Sequence, residues 1–166
     1  MKTLSVVIPV YFNEGSLPPL FERLCAVEAA LQDKGMALEI IFVDDGSLDG
    51  SWGELLRIRQ QRKKTRIVRL TRNFGSIRAS KAGCTFVTGD CFSFLSADLQ
   101  DPPELLLDMA DRWLSGSKYV ICVRASRQDP LTSRIFSAIY YRLVRAFVIS
   151  DYPSGGYDLA LMDRSM

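Results

Sequence analysis

The 166-residue chain contains no histidine. This absence excludes histidine-based catalytic triads, histidine general bases and histidine metal ligands in one step. A metal bound by this protein must therefore be held by oxygen atoms, and oxygen ligands favour Mg²⁺ or Mn²⁺ over Zn²⁺.

Cysteine pairs and long apolar segments are also missing. The four cysteines, Cys25, Cys84, Cys91 and Cys122, include no CxxC pair, and three of them lie in or beside apolar runs. We interpret them as small core residues of a reducing compartment, not as disulfide partners or zinc ligands. No signal peptide is recognisable, and no segment approaches the roughly 20 apolar residues that span a bilayer.

The glycine-rich phosphate loops of two large nucleotide-binding classes do not occur. No GxGxxG follows the first apolar run, and GxxxxGK[ST] is found nowhere in the chain. Dinucleotide-binding and P-loop functions therefore lose their main support. The net charge of +2 argues neither for nor against a polyanionic partner, and we expect no nucleic-acid partner.

Short apolar runs alternate with amphipathic segments along the chain. The predicted strands are 4–10, 38–43, 66–70, 91–95, 119–123 and 157–162. The predicted helices lie around 17–31, 52–58, 77–87, 105–114 and 135–147, and Ser47 or Asp49 can cap the second of them. This alternation predicts an α/β fold: one domain with a mostly parallel sheet, βαβ connections and helices on both faces of the sheet.

Two of the predicted strands end in acidic residues. One run is followed by Asp44-Asp45-Gly46-Ser47, and the run 91–95 is followed by the segment 96–104, SADLQDPPE. Ligands bind at the carboxyl ends of strands in such sheets, so both acidic ends can share one crevice. Carboxylates there suit a hard divalent cation and a phosphorylated substrate, with Asp98 as the principal ligand.

These acids also have a purely structural interpretation. Asp98 and Asp101 can instead cap a helix that starts near Pro102. Asp44 and Asp45 can be turn residues, because Asp, Gly and Ser populate tight turns. The acidic segments alone leave both interpretations open.

The ordered set of motifs resembles a known family. The motifs are Ser5–Tyr11 with Asn13-Glu14, Val43–Ser47 with Asp49-Gly50, Arg72–Gly75, Ala82-Gly83, Gly89-Asp90 and Ala97–Glu104. In this order they are similar to family-2 glycosyltransferases of GT-A fold. Within that family the chain resembles the branch that loads a sugar onto a polyprenyl phosphate, dolichol or undecaprenyl phosphate.

The resemblance implies a donor site for a nucleotide-diphosphate sugar. It places Pro9, Tyr11, Glu14 and Ala97 in the nucleotide pocket, Asp44 and Asp45 on the base and ribose, and Arg72 and Asn73 on a flanking loop. It also implies that Asp98, with Gln100, holds Mg²⁺ or Mn²⁺ on the diphosphate.

The resemblance implies an acceptor side as well. Arg124, Arg127 and Arg134 match basic positions that face the acceptor phosphate, and Arg124 and Arg127 join Asp98 as expected catalytic residues. The acceptor strand is expected to carry 156–158 and 163–164. A phosphate nucleophile is already an anion, so no strong base is required, which agrees with the absence of histidine. The family reaction inverts the anomeric carbon by direct displacement.

Three features depart from the family pattern. Ser96 stands where the family has the first acid of an Asp-Ala-Asp motif, and Phe12 is an extra residue expected to bulge the loop after the first strand. The chain ends at Met166, whereas members of this branch continue into further helices and membrane spans. We therefore expect residues 1–166 to be one catalytic domain of a longer protein at the cytoplasmic face of a membrane, with homo-oligomerisation left open.

Other functions remain open at this stage. A family-2 transferase acting on a sugar hydroxyl would need a carboxylate base, with Asp101, Asp158 or Asp163 as candidates. A nucleotide-sugar-binding module without catalysis would equally explain the loss of an acid at Ser96. Basic residues on the last predicted helix suit either an anionic membrane surface or a core-facing helix with solvated arginines.

Overall fold

The structure, a computed structural model, describes residues 1–123 and 159–166. Its strands are β1 (Lys2–Val10), β2 (Met36–Asp44), β3 (Arg66–Arg69), β4 (Cys91–Phe94), β5 (Tyr119–Cys122) and β6 (Leu159–Asp163). Its helices are α1 (Leu17–Asp33), α2 (Ser51–Gln61), α3 (Ser76–Cys84) and α4 (Leu105–Leu114). Within these ranges no helix has the length and apolar content needed to cross a bilayer. The predicted helix 135–147 and the sites predicted at Arg124, Arg127, Arg134 and Asp158 fall outside the described residues.

The six strands form one sheet in the order β3-β2-β1-β4-β6-β5. β1 pairs in parallel with β2 and with β4, and β2 pairs in parallel with β3. β6 runs antiparallel to both of its neighbours. The predicted α/β fold with a mostly parallel sheet is therefore confirmed. The antiparallel direction of β6 was not predicted.

Helices cover both faces of the sheet because the side chains of its strands alternate between them. Val6 and Ile8 of β1 belong to a large core cluster that includes side chains of α1, α2 and α4. Val7, between them, packs in a second cluster with Ala79 of α3. Successive strand side chains point to opposite faces, so α3 lies on the face opposite the other three helices. The helices predicted on both faces are confirmed.

The order of the strands reverses at β1. The chain moves outward from β1 to β2 and β3, and then returns to the other side of β1 to form β4. In open α/β sheets, a crevice for ligands forms outside the carboxyl ends of the strands at such a reversal. The segments after Val10 and Phe94 flank this point.

The four cysteines are all free thiols. Cys91 is completely buried on β4, and burial raises the pKa of its thiol to about 12. Cys25 is exposed on α1, so its assignment to the core was wrong. It is the neighbour of Leu24, which belongs to the buried apolar stripe of α1, and it lies on the solvent side of the helix.

Helix α3 packs tightly against the sheet at Gly83. A Cβ built at Gly83 would overlap Cγ1 of Val7 and lie 3.0 Å from Cγ2 of Val43. We expect Gly83→Ala to lower the free energy of unfolding by about 1–3 kcal/mol, because added volume in a packed core forces neighbours to shift. Chemical denaturation midpoints measure this effect.

Gly53, on α2, supplies the matched control. A Cβ there meets nothing within 4 Å, so Gly53→Ala should be neutral or stabilising by about 0.5–1 kcal/mol through helix propensity. Equal stabilities for the two variants would contradict the tight packing of α3 on the sheet.

Candidate active site

A cavity of about 360 Å³ lies at the carboxyl ends of β1, β2 and β4. It is lined by Pro9, Val10, Tyr11, Asn13, Asp45, Asn73, Gly75, Ser76, Ser96, Ala97 and Asp98. The cavity therefore brings together six of the residues predicted for the donor site: Pro9, Tyr11, Asp45, Asn73, Ala97 and Asp98. Its position is the one that the strand reversal predicts for a ligand crevice.

Asp45 joins the loops that follow β2 and β3. Its carboxylate is 2% exposed, and it accepts hydrogen bonds from the backbone N–H groups of Phe74 and Gly75, both at 2.8 Å. Gly46 lets the two loops approach, since a Cβ there would lie 2.6 Å from the carbonyl carbon of Arg72. Its φ of 75° also favours glycine. The loops after β2 and β3 are thus hydrogen-bonded to each other, and together they form one wall of the cavity.

Asp44 is completely buried behind this wall. Its Oδ1 accepts the Ser47 N–H at 3.1 Å, and its Oδ2 lies 3.3 Å from Nε of Arg69 in an ion pair. No hydrogen bond from the described residues reaches Oδ2. The Arg69 guanidinium also lies over the Trp52 ring, 5.3 Å from its centroid. Asp44 does not line the cavity, and its contact with a base or ribose stays a prediction.

The corner after β1 carries two half-exposed aromatic rings. Tyr11 and Phe12 pack edge to face with ring centroids 4.5 Å apart. Phe12 has a φ of 56°, in the left-handed region that non-glycine residues rarely adopt, and its N–H donates to Ser47 Oγ at 3.2 Å. Asn13 Oδ1 accepts the Tyr11 N–H at 2.9 Å. The irregular backbone expected at Phe12 is therefore present.

Ser16 connects this corner to the loop after β4. Its Oγ donates to the carbonyl oxygen of Ala97 at 2.7 Å and accepts a hydrogen bond from Nδ2 of Asn13 at 3.3 Å. Ser16 is the N-cap residue of α1 but makes no side-chain cap hydrogen bond to that helix. Sequence reasoning missed Ser16, because a serine before an amphipathic run predicts an ordinary helix cap.

Asp98 is exposed at the rim of the cavity and is held through one of its oxygens. Asp98 Oδ1 accepts hydrogen bonds from Ser96 Oγ at 2.6 Å and from the Gln100 N–H at 3.1 Å. Helix α4 begins only at Leu105, with Glu104 as its N-cap residue. Asp98 therefore does not cap this helix, and the structural interpretation proposed for it was wrong.

Gln100 is placed differently from Asp98. Its backbone supports the Asp98 carboxylate, but Gln100 lines a separate cavity of about 680 Å³ beside α4 and β5. Of the two predicted metal ligands, only Asp98 lines the 360 Å³ cavity. A ligand role for Gln100 stays a prediction.

The oxygen groups around Asp98 fit a divalent cation that shares its coordination with a ligand. Within residues 1–123 and 159–166, no group of three or more Asp, Glu or Cys side chains could hold a metal alone. Mg²⁺, however, commonly takes one or two carboxylates and completes its shell with phosphate oxygens and water. One carboxylate and a neighbouring serine hydroxyl suit that kind of site.

Glu14 and Arg72 lie beside the cavity, not in its lining. Glu14 Oε2 accepts the Gly50 N–H at 3.0 Å, which places this carboxylate at the N-terminus of α2, where the helix dipole favours negative charge. The Arg72 guanidinium lies 4.9 Å from the ring centroid of Phe74. Their predicted contacts with a donor stay predictions.

Asp163 lies at the amino ends of the parallel strands, opposite the ends that form the cavity. It pairs with Cys91 at the start of β4, and Trp113 Nε1 donates to its Oδ2 at 2.8 Å. Hydrogen bonds from Ser165, and then from Trp113, lower the pKa of Asp163 to about 2. Asp163 is thus remote from the cavity and a weak base, so its proposal as a general base was wrong. Arg164, which donates to Thr88 O, lies at the same amino ends.

The Asp45 hydrogen bonds predict a local effect on backbone dynamics. In Asp45→Ala, the Phe74 amide loses its acceptor, whereas the Gly75 N–H keeps a hydrogen bond to Asn73 Oδ1 at 2.9 Å. We therefore expect hydrogen exchange to accelerate at least tenfold at Phe74 and less at Gly75. Hydrogen-exchange NMR measures this change. The buried Ala110 amide on α4 is the internal control for global unfolding. Equal acceleration at Ala110 would contradict a local tether.

Comparisons with known proteins identify the family of the chain. A family model described as Glycosyl transferase family 2 matches residues 5–160. The chain is 37% identical over 164 residues to an uncharacterised glycosyltransferase of Synechocystis sp., covering 98% of this chain and 51% of that protein. It is 44% identical over 128 residues to an undecaprenyl-phosphate 4-deoxy-4-formamido-L-arabinose transferase of Pseudomonas aeruginosa, covering 76% of this chain and 37% of that protein.

A solved structure shows the same fold. The glucosyl-3-phosphoglycerate synthase of Mycobacterium tuberculosis, in complex with Mn²⁺, UDP and glucosyl-3-phosphoglycerate, matches with a TM-score of 0.66 at 20% identity. The match covers 99% of this chain and 57% of that protein. The chain spans about half or less of the length of the two curated relatives above. By its family match and its GT-A fold, the chain belongs to glycosyl transferase family 2.

Proposed function

We propose that residues 1–166 form one catalytic domain that transfers a sugar from a nucleotide-diphosphate sugar to a polyprenyl phosphate. The observation that carries this proposal is the cavity at the strand reversal, which gathers Tyr11, Asp45 and Asp98 around one space. A cleft whose lining combines an aromatic ring with an exposed carboxylate suits a nucleoside diphosphate.

The donor would lie along the cavity from Tyr11 to Asp98. The Tyr11 ring offers an apolar face for a base, and the Asp45-anchored loop presents Asn73 and Gly75 beside the ribose and phosphates. A divalent cation, Mg²⁺ or Mn²⁺, held by Asp98 would neutralise charge on the departing diphosphate. The Mycobacterium tuberculosis structure, which contains both Mn²⁺ and UDP, supports the use of a metal in this fold.

Two arguments support a polyprenyl phosphate as the acceptor: the name of a relative and the negative charge of a phosphate group. The Pseudomonas aeruginosa relative is named for transfer to undecaprenyl phosphate. Such a phosphate attacks as an anion, so the protein has only to align it and offset its charge. Arg124 and Arg127 would hold this phosphate through charge-assisted hydrogen bonds, and inversion would follow from direct displacement at the anomeric carbon. A lipid-linked acceptor also implies work at the cytoplasmic face of a membrane.

Transfer to a sugar hydroxyl is the competing function, and it would need a carboxylate base. Asp101 is the remaining candidate among the described residues, and it lines a cavity of about 590 Å³ that shares Pro9, Ser76 and Ser96 with the donor cavity. A turnover that falls as the pH is lowered, and loses this dependence in Asp101→Asn, would favour the hydroxyl acceptor. A pH profile that Asp101→Asn leaves unchanged supports the phosphate acceptor.

Nucleotide binding is the first test. A thermal-shift panel of UDP- and GDP-sugars, with and without Mn²⁺, should identify a ligand that stabilises the chain by about 2.7 kcal/mol at 100 times its dissociation constant. Asp98→Asn should abolish the additional stabilisation from Mn²⁺ while keeping the metal-free shift. Asp33→Asn, an exposed change at the end of α1, is the matched control. An unchanged Mn²⁺ increment in Asp98→Asn would refute the metal role.

Acceptor use is the second test. We expect Arg124→Ala and Arg127→Ala to raise the KM for a polyprenyl phosphate about tenfold or more, because each removes a charged hydrogen-bond donor. Donor affinity in the thermal-shift assay should not change. A parallel loss of donor affinity would contradict the assignment of these arginines to the acceptor.

A further inference from the structure

Ser96 is half-buried at the boundary between two cavities. It lines the 360 Å³ cavity with Asp98, and it also lines the 590 Å³ cavity between α3 and β4. Its hydroxyl donates to Asp98 Oδ1 at 2.6 Å, and the Gln100 N–H donates to the same oxygen at 3.1 Å. Both hydrogen bonds therefore fix one carboxylate oxygen, and no hydrogen bond from residues 1–123 or 159–166 occupies Oδ2, which is left for a ligand.

We infer that Ser96 is a positioning residue that fixes the Asp98 carboxylate, so that the site binds a divalent cation tightly only together with a diphosphate. This inference rests on the proposed donor site. It concerns how the cation enters that site: as part of a complex with the nucleotide, not as a resident ion.

The residue at position 96 determines how many negative charges lie beside the cation. An acid at position 96 could only accept hydrogen bonds when ionised, so it would supply a second negative charge beside Asp98. Two carboxylates at hydrogen-bond distance repel each other unless a cation lies between them. Serine removes that repulsion and donates a proton instead. The site is therefore stable without a cation and offers it one carboxylate.

Asp98 supplies only a small part of the coordination shell of a cation. Mg²⁺ and Mn²⁺ prefer six oxygen ligands, and one carboxylate oxygen leaves most of that shell to water. A diphosphate in the same cavity adds several anionic oxygens at once. Cation and nucleotide then raise each other's affinity, and by thermodynamic linkage both factors must be equal.

The test measures Mn²⁺ binding by electron paramagnetic resonance, with no transfer reaction involved. UDP and GDP are the probes. For the unmodified chain we expect Mn²⁺ affinity to rise at least tenfold when the nucleotide that binds is present, after subtraction of Mn²⁺ bound by free nucleotide. Calorimetry should show the same factor for nucleotide affinity when Mn²⁺ is added.

Three substitutions at position 96 separate positioning from bulk structure. Ser96→Asp should bind Mn²⁺ without nucleotide at least tenfold more tightly than the unmodified chain. Ser96→Ala should lose about tenfold in nucleotide-dependent Mn²⁺ affinity, because the carboxylate is no longer held. Ser96→Thr keeps the hydroxyl and should restore most of that affinity. Thermal midpoints of the metal-free variants establish that all three fold.

Two results would overturn the inference and leave the donor site intact. One is Mn²⁺ binding that is equal with and without nucleotide in the unmodified chain. The other is Ser96→Ala that binds Mn²⁺ as tightly as Ser96→Thr while nucleotide still binds. Failure of both UDP and GDP to bind in the absence of metal and in its presence would instead overturn the proposed function, and this inference with it.

Discussion

The two hydrogen bonds from Phe74 and Gly75 to the buried Asp45 carboxylate hold one wall of the cleft in place. Gly75 is also the N-cap residue of α3, so the same bonds set where that helix begins. Because Asp45 is buried, its carboxylate depends on these donors to offset the loss of its hydration. The loops after β2 and β3, and the start of α3, therefore behave as one rigid piece that faces β1 and β4 across the cavity.

The opposite wall depends on neutral side chains. Ser16 and Asn13 tie the corner after β1 to the Ala97 carbonyl, and Ser96 holds Asp98. The proposed chemistry needs no strong base of the protein's own, because the phosphate acceptor already attacks as an anion. Fixed backbone and hydroxyl donors then do the positioning without reorganising during the reaction.

The alternation of apolar runs and amphipathic segments was enough to predict the sheet, its helices on both faces and the cleft at the strand ends. Ser16 could not be found that way, because its partner Ala97 is distant in sequence and its position suggests a helix cap. Asp163 was misplaced because an apolar run does not reveal strand direction. In the antiparallel β6, Asp163 falls at the amino ends of the parallel strands, whereas a parallel strand would have carried it to the cleft.

The pairing of Leu4 with Cys91 also sets an order of events in folding. β1, β2 and β3 are joined by helical connections of ordinary length and can pair early. The pairing of β4 with β1 closes a much longer loop, so more chain entropy is lost before the contacts of β4 offset that loss. Asp98 lies in the loop after β4, so a partly folded chain without β4 in the sheet would have Tyr11 of the cleft but not Asp98. Ligand binding would thus stabilise only those states in which β4 has joined β1.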